Sequence, residues 1–167
     1  MNRLRPIVVI SRCIDFDSCR YNGQVIRAGL RGQLEPLVEL RPICPELEIG
    51  LGVPRDPVVL ERHGGGVQMV QPSTGRDLTA AMDSFSEGFL DSLGAVDGFI
   101  LKSRSPSCGI RDARIGDEHG PGLFATRVLE RFPGVAVADE VTLQDAERRE
   151  RFLAEVFTLA AGRHRSG

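Results

Sequence analysis

Tryptophan is absent from the 167 residues, tyrosine occurs once, and aromatic residues reach only 5%. Proteins that grip nucleic-acid strands draw them in with a positive field and stack bases on aromatic platforms. With a formal net charge of -2 the chain has neither feature, so the charge does not favour binding to a polyanion such as tRNA. No apolar run approaches the roughly 20 residues of a membrane helix. Residues 7–10, which follow a basic start, are also too few for a signal-peptide core. A cytoplasmic location without membrane association is the expectation.

Common motifs are missing as well. There is no Cys-x-x-Cys pair, which argues against zinc ribbons, thioredoxin-like redox motifs and clustered ferredoxin runs. There is no loop ending in Gly-Lys-Ser or Gly-Lys-Thr, and no Gly-x-Gly-x-x-Gly after the first strand candidate. Gly120-Pro121-Gly122 stands ahead of a helix, whose free amides could receive an anion.

What is present is a chain of ordinary solubility, 41% hydrophobic and 26% charged, of a length that fits one domain. Its 19 glycines and ten prolines exceed the average usage of about 12% for the two together, so much of the backbone is shaped into turns. The four cysteines are Cys13, Cys19, Cys44 and Cys108. In a reducing compartment they are not a disulfide framework, and metal binding or catalysis becomes the leading reason for them.

Residues 6–11 form an unbroken apolar run that predicts a fully buried strand. A polar loop over 12–23 follows, then a short helix that Pro36 interrupts, then a strand over 38–43. The segment 44–57 is so rich in Gly and Pro that neither helix nor ladder is expected to run through it. Residues 58–61 and 67–71 flank Gly64, Gly65 and Gly66 as a hairpin. Over 77–93, Leu78, Met82, Phe85, Phe89 and Leu93 recur at spacings of three and four, predicting an amphipathic helix that starts near Asp77 or Thr79. A strand over 98–101 leads into the loop 102–109; a helix over 123–132 and a strand over 135–138 follow. Thr142 is placed as N-cap of a last helix whose buried stripe is Phe152, Val156 and Leu159. The alternation predicts an α/β fold, a single Rossmann-like domain over 1–167 with a mostly parallel sheet and helices on both faces.

Ligands of such sheets collect outside the carboxyl ends of the strands, and Cys13, Cys44 and Cys108 each follow a strand. Three convergent thiolates suit a zinc ion with one further ligand, or an iron-sulfur cluster with one iron not held by cysteine. They equally suit three separate buried thiols. Cys19, in the first loop, fits a fourth ligand, a resolving thiol or a bystander. Glu46 lies two residues past Cys44, where a carboxylate can act as general base on water; Glu48 competes for the role. Ser103, Ser105 and Ser107 offer hydroxyls to a small polar substrate or to their own turn. Arg20, Arg55 and Lys102 bring cations to the same loops, to neutralise a cluster or bind an anion. His63, His119 and His164 form no metal-spaced pair.

Taken together, Ser11-Arg12-Cys13, Cys19-Arg20-Tyr21-Asn22-Gly23, Cys44-Pro45-Glu46, Ile49-Gly50-Leu51-Gly52-Val53-Pro54-Arg55, Arg76-Asp77-Leu78-Thr79 and Lys102-Ser103-Arg104-Ser105-Pro106-Ser107-Cys108-Gly109 resemble the 2-thiouracil desulfurase family, nearly over the whole chain. The tail, through Gly122-Leu123-Phe124-Ala125 and residues 148–157, is similar to a branch in which this domain is fused to a second, C-terminal one. With the sequence ending at Gly167, tasks of that second domain such as RNA handling are not expected of this chain.

The resemblance implies a 4Fe-4S cluster with three cysteine ligands and one open iron, the ligands corresponding to Cys13, Cys44 and Cys108 and leaving Cys19 outside the set. It implies Glu46 as the catalytic carboxylate and Ser105, or its neighbour Ser103, as the catalytic serine; Ser103, Ser107 and Arg20 are the expected substrate contacts. The expected reaction removes sulfur from thiolated uracil or a related nucleobase or nucleoside, giving the oxo base and sulfide without net electron transfer. The alternatives are desulfuration of 4-thiouridine in tRNA, for which Arg148, Arg149, Arg151 and the basic ending could form a local patch, and a zinc-stabilised or metal-free nucleotide-binding module without turnover.

Overall fold

Aliphatic runs without polar interruption form strands only where both faces are covered. In the computed structural model, which describes residues 4 to 166, two such runs are the central strands of a parallel sheet. The elements in chain order are β1 (Ile7–Ser11), α1 (Leu30–Leu34), β2 (Glu39–Ile43), α2 (Pro45–Glu48), β3 (Val59–His63), β4 (Gly66–Gln71), β5 (Arg76–Asp77), α3 (Thr79–Ser92), β6 (Gly98–Leu101), β7 (Ala113–Ile115), β8 (Glu118–Gly120), α4 (Leu123–Arg131), β9 (Ala136–Asp139), a 3-10 turn (Thr142–Gln144) and α5 (Ala146–Arg165).

The parallel sheet has the order β2-β1-β6-β9. Val8, Val9 and Ile10 of β1 pair on one side with Leu40, Arg41 and Pro42 and on the other with Gly98, Phe99 and Ile100. Pro42, which lacks an amide hydrogen, is tolerated because β2 is an edge strand. Alternate residues of a strand point to opposite faces, and the packing follows. Val8, Ile10 and Ile100 meet Leu30 and Leu34 of α1 and Phe152 and Val156 of α5. Val9, Phe99 and Leu101 meet Met82 and Leu90 of α3 and Phe124 and Val128 of α4. Helices therefore cover both faces of an α/β fold.

Gly98 lets α5 lie directly on β6: a Cβ there would stand 2.7 Å from Val156 Cγ1 and 3.1 Å from Phe152 Cζ. At the amino end of the sheet, buried Asp97 accepts from the Ile7 amide (2.8 Å) and from Arg163 Nη2 (2.7 Å) and Nε (3.2 Å), tying α5 to β1. The Arg163 guanidinium is held above its usual pKa chiefly by that hydrogen bond to Asp97. This anchor leaves the opposite, carboxyl end of the sheet free for chemistry.

Three local expectations are corrected. The hairpin β3–β4 belongs to a second, five-stranded sheet of order β5-β4-β3-β7-β8, whose Leu60, Met69, Ala113 and Ile115 join the α3–α4 core. Strands of two or three residues carry no readable periodicity, so β5, β7 and β8 were invisible to it. A one-turn helix, α2, does form within 44–57, because Pro45 occupies its first turn, where a missing amide hydrogen costs nothing. Thr142 opens the 3-10 turn instead of capping α5; the cap is Asp145, whose Oδ1 accepts from the Arg148 amide at 2.9 Å.

Candidate active site

Each of the four parallel strands delivers a loop to the same edge. Cys13 follows β1, Cys44 and Glu46 follow β2, residues 102–108 follow β6, and Glu140 follows β9. From β1 the chain passes to β2 on one side, and β6 lies on the other, which makes the gap between β1 and β6 the reversal point where such sheets take ligands. A cavity of about 370 Å³ opens there. Two hydrogen bonds stitch its floor: the Arg12 amide to the Ile43 carbonyl (2.8 Å) and the Lys102 amide to Ser11 Oγ (2.9 Å).

All four cysteines line this cavity, and all are free thiols. Cys44 Sγ approaches the Cys19 carbonyl at 3.9 Å. Cys19 is raised to about 11, first by a hydrogen bond with the Cys13 thiol and then by burial. Cys44 is raised further, first by its hydrogen bond with the Cys19 thiol and then by burial. Cys108 is pushed up to about 12 by burial, against hydrogen bonds from Ser11 and Ser107 that favour the thiolate. Among the described residues, no three His, Cys, Asp or Glu side chains stand so as to hold a single metal ion.

The loop 102–109 is held at both ends. Ser105 Oγ accepts from the Ser107 amide (3.2 Å) and the Cys108 amide (3.0 Å) and lies 3.0 Å from Ser107 Oγ. With both lone pairs engaged, the Ser105 hydroxyl donates to Ser107 Oγ, and a ligand must compete with Ser107 for that proton. The Pro106 and Ser107 carbonyls accept the Leu123 (3.1 Å) and Ala125 (2.9 Å) amides of α4. The helix start expected to receive an anion is therefore capped by the site loop itself. Only glycine fits at 122, since a Cβ would stand 2.6 Å from Pro106 O and Ser107 C. Arg104 takes a left-handed φ of 62°, fixed by its amide donating to Asp112 Oδ1 at 2.8 Å.

Glu46 is paired with Arg55 through Oε2; Glu48 is exposed and does not line the cavity. Arg55 also donates Nη1 to the Cys19 carbonyl (2.9 Å) and the Gly52 carbonyl (3.1 Å), and so ties the Gly- and Pro-rich segment to the first loop. Ser103 Oγ donates to Glu140 Oε2 at 2.9 Å, which commits its proton. Ser107 is buried, with Oγ 3.8 Å from Cys108 Sγ. Arg20 is on the wall, 3.5 Å from Gln24 Oε1, and Lys102 and Tyr21 line it too. The three histidines are exposed and outside the lining.

A family model described as 2-thiouracil desulfurase matches residues 8–140. The chain belongs to the 2-thiouracil desulfurase family. Among curated proteins it is similar to the uncharacterized YbbK of Bacillus subtilis (strain 168), with 27% identity over 83% of this chain and 99% of YbbK. Among solved structures it is similar to the 4Fe-4S-dependent thiouracil desulfidase TudS, with a TM-score of 0.61 and 29% identity, covering 83% of this chain and 93% of that one.

The stretch matched by the desulfurase family model ends at Glu140, which sequence reasoning missed. Its carboxylate is buried, with Oε1 accepting the Ser103 amide at 2.5 Å and Oε2 standing 3.6 Å from Lys102 Nζ. Ser11, buried at the end of β1, stood in the Ser11-Arg12-Cys13 motif without a role of its own. Both follow the rule that picked out the cysteines, since each ends or directly follows a parallel strand.

Proposed function

We propose that the protein is an iron-sulfur desulfurase that exchanges the sulfur of a thiolated uracil, or a related nucleobase or nucleoside, for oxygen from water. The observation that carries this reading is the delivery of Cys13, Cys44, Cys108, Glu46 and Ser105 to one small cavity by three strand-end loops. The name of the structural relative TudS supplies the substrate class.

The residues fit the cofactor. Soft thiolates select iron-sulfur clusters, and Cys13, Cys44 and Cys108, one per loop, would hold three irons of a 4Fe-4S cluster and leave the fourth without a cysteine. When bound, the cluster supplies a Lewis acid and a sulfur acceptor. Glu46 would take a proton from the water that attacks the ring carbon, and Ser105 would turn its hydroxyl proton from Ser107 Oγ to a heteroatom of the ring. Ser103, Ser107 and Arg20 line the substrate side. The sum is a thiocarbonyl and water going to a carbonyl and hydrogen sulfide, with no electrons transferred. A cavity of about 370 Å³ lies in the range of small-molecule sites, which favours a free base or nucleoside over a tRNA strand.

The test is anaerobic purification and cluster reconstitution, followed by sulfide release from a panel of thiolated bases, nucleosides and tRNA. A brown, iron-containing protein that releases sulfide from 2-thiouracil supports the reading; a colourless zinc protein inert on the whole panel overturns it.

A further inference from the structure

The chain has nine aromatic residues, eight phenylalanines and Tyr21. All eight phenylalanines belong to the two cores: Phe85, Phe89, Phe99, Phe124 and Phe132 on one face of the sheet, Phe16, Phe152 and Phe157 on the other. Tyr21 is in neither. It is 44% exposed and is the only aromatic residue among those lining the cavity. Its backbone is nonetheless fixed. The Gly23 amide closes a turn onto the Arg20 carbonyl (2.8 Å), and the Arg55 amide donates to the Tyr21 carbonyl (2.8 Å). A large, half-exposed ring at the cavity wall, outside both hydrophobic cores, is placed to meet a ligand.

We infer that Tyr21 is the stacking platform of the site: its ring covers one face of a flat pyrimidine and sets the preference for planar, aromatic substrates. This rests on the reading of the cavity as a desulfurase site and adds the residue that recognises the ring, as opposed to its sulfur. A π-face is shared by every nucleobase, and stacking on a tyrosine discriminates planar rings from puckered ones while hydrogen bonds do not. The remaining lining is polar or aliphatic, so no second ring can substitute.

Calorimetry on the anaerobically purified holoprotein, titrated with uracil and with 5,6-dihydrouracil, tests this without turnover. The two ligands carry the same imide groups and differ in planarity. Wild type should bind uracil about ten-fold more tightly than dihydrouracil. Tyr21→Ala should lose that preference, weakening uracil about ten-fold and leaving dihydrouracil within about two-fold, while Tyr21→Phe keeps it. In sulfide assays the Tyr21→Ala change should appear in KM and leave kcat close to wild type. Equal losses for both ligands, unchanged uracil binding in Tyr21→Ala, or no uracil binding by wild type would each overturn the inference. If uracil binds with the Tyr21 dependence and no thiolated base yields sulfide, the stacking role stands and the desulfurase reading alone fails.

Discussion

Glu46 and Arg55 form an ion pair within the wall of the cavity, with side chains 12% and 6% exposed. A buried pair stabilises little as a pair, since desolvation offsets attraction, but removing one partner strands the other. Arg55→Met therefore leaves Glu46 unpaired and releases the Cys19 and Gly52 carbonyls that Arg55 holds. The expected cost is about 3–5 kcal/mol in urea unfolding. Glu46→Gln keeps a hydrogen-bond acceptor for Arg55, so it should cost less stability while abolishing sulfide release. Full activity in Glu46→Gln would remove its role as base.

Gly122 bears on the position of Cys108 without touching it. A methyl group at 122 would press into the Pro106 carbonyl and the Ser107 carbonyl carbon, which are backbone atoms and cannot rotate aside. Gly122→Ala should destabilise by about 1–3 kcal/mol, as overpacking does, and lower iron content as the 105–108 loop is displaced. Gly134→Ala, with nothing within 4 Å of its Cβ, is the control and should stay within about 0.5 kcal/mol of wild type.

Glu140 accepts both the amide and the hydroxyl of Ser103 and sits beside Lys102. Glu140→Gln turns one acceptor into a donor that faces a hydroxyl and an ammonium. A loss of about 1–3 kcal/mol is expected, with reduced turnover because the neighbouring loop loses its fixed end. Glu48→Gln, on the exposed side of the same segment as Glu46, should change neither stability nor activity.

The cysteine set makes a three-to-one prediction. Cys13→Ala, Cys44→Ala and Cys108→Ala should each lose iron by anaerobic metal analysis, and Cys19→Ala should keep it. The structure makes this a sharper test, because Cys19 lines the same cavity as the other three and so cannot be spared by distance. Retention of a full cluster in Cys108→Ala would overturn the assignment.

What the sequence showed and what it hid divide along physical lines. The buried runs β1 and β6, helix α3 and the cysteine loops were legible because hydrophobic period and strand-end position are local properties. The Phe85, Phe89 and Phe124 contacts, at 5.6 to 6.3 Å between centroids, show that local stripe meeting its partner helix. Glu140 reaches back 37 residues to Ser103, and Arg55 reaches across two loops to Cys19. Pairings of that kind depend on the strand order β2-β1-β6-β9, which no local pattern encodes. Strands of two or three residues, such as β5 and β7, likewise owe their existence to neighbours and not to their own composition.

The raised thiols give a pH dependence whose sign follows from proton counting. Cys108 titrates at about 12, chiefly from burial, and Cys19 at about 11, chiefly from its bond with the Cys13 thiol, against an ordinary 9.0 for each. Above pH 9 the unfolded chain gives up protons that the folded, cluster-free protein still holds. The stability due to these thiols is therefore complete below about pH 9 and is lost as the pH rises through about 11 and then about 12. The urea midpoint of cluster-free wild type should fall more steeply between about pH 8 and about pH 10.5 than that of Cys108→Ala, which lacks the thiol raised chiefly by burial. Parallel curves for the two proteins would show that Cys108 ionises normally. Ligation runs the other way, since metal and cluster binding need thiolates and release their protons; reconstitution should therefore improve over the same rise in pH that weakens the cluster-free fold.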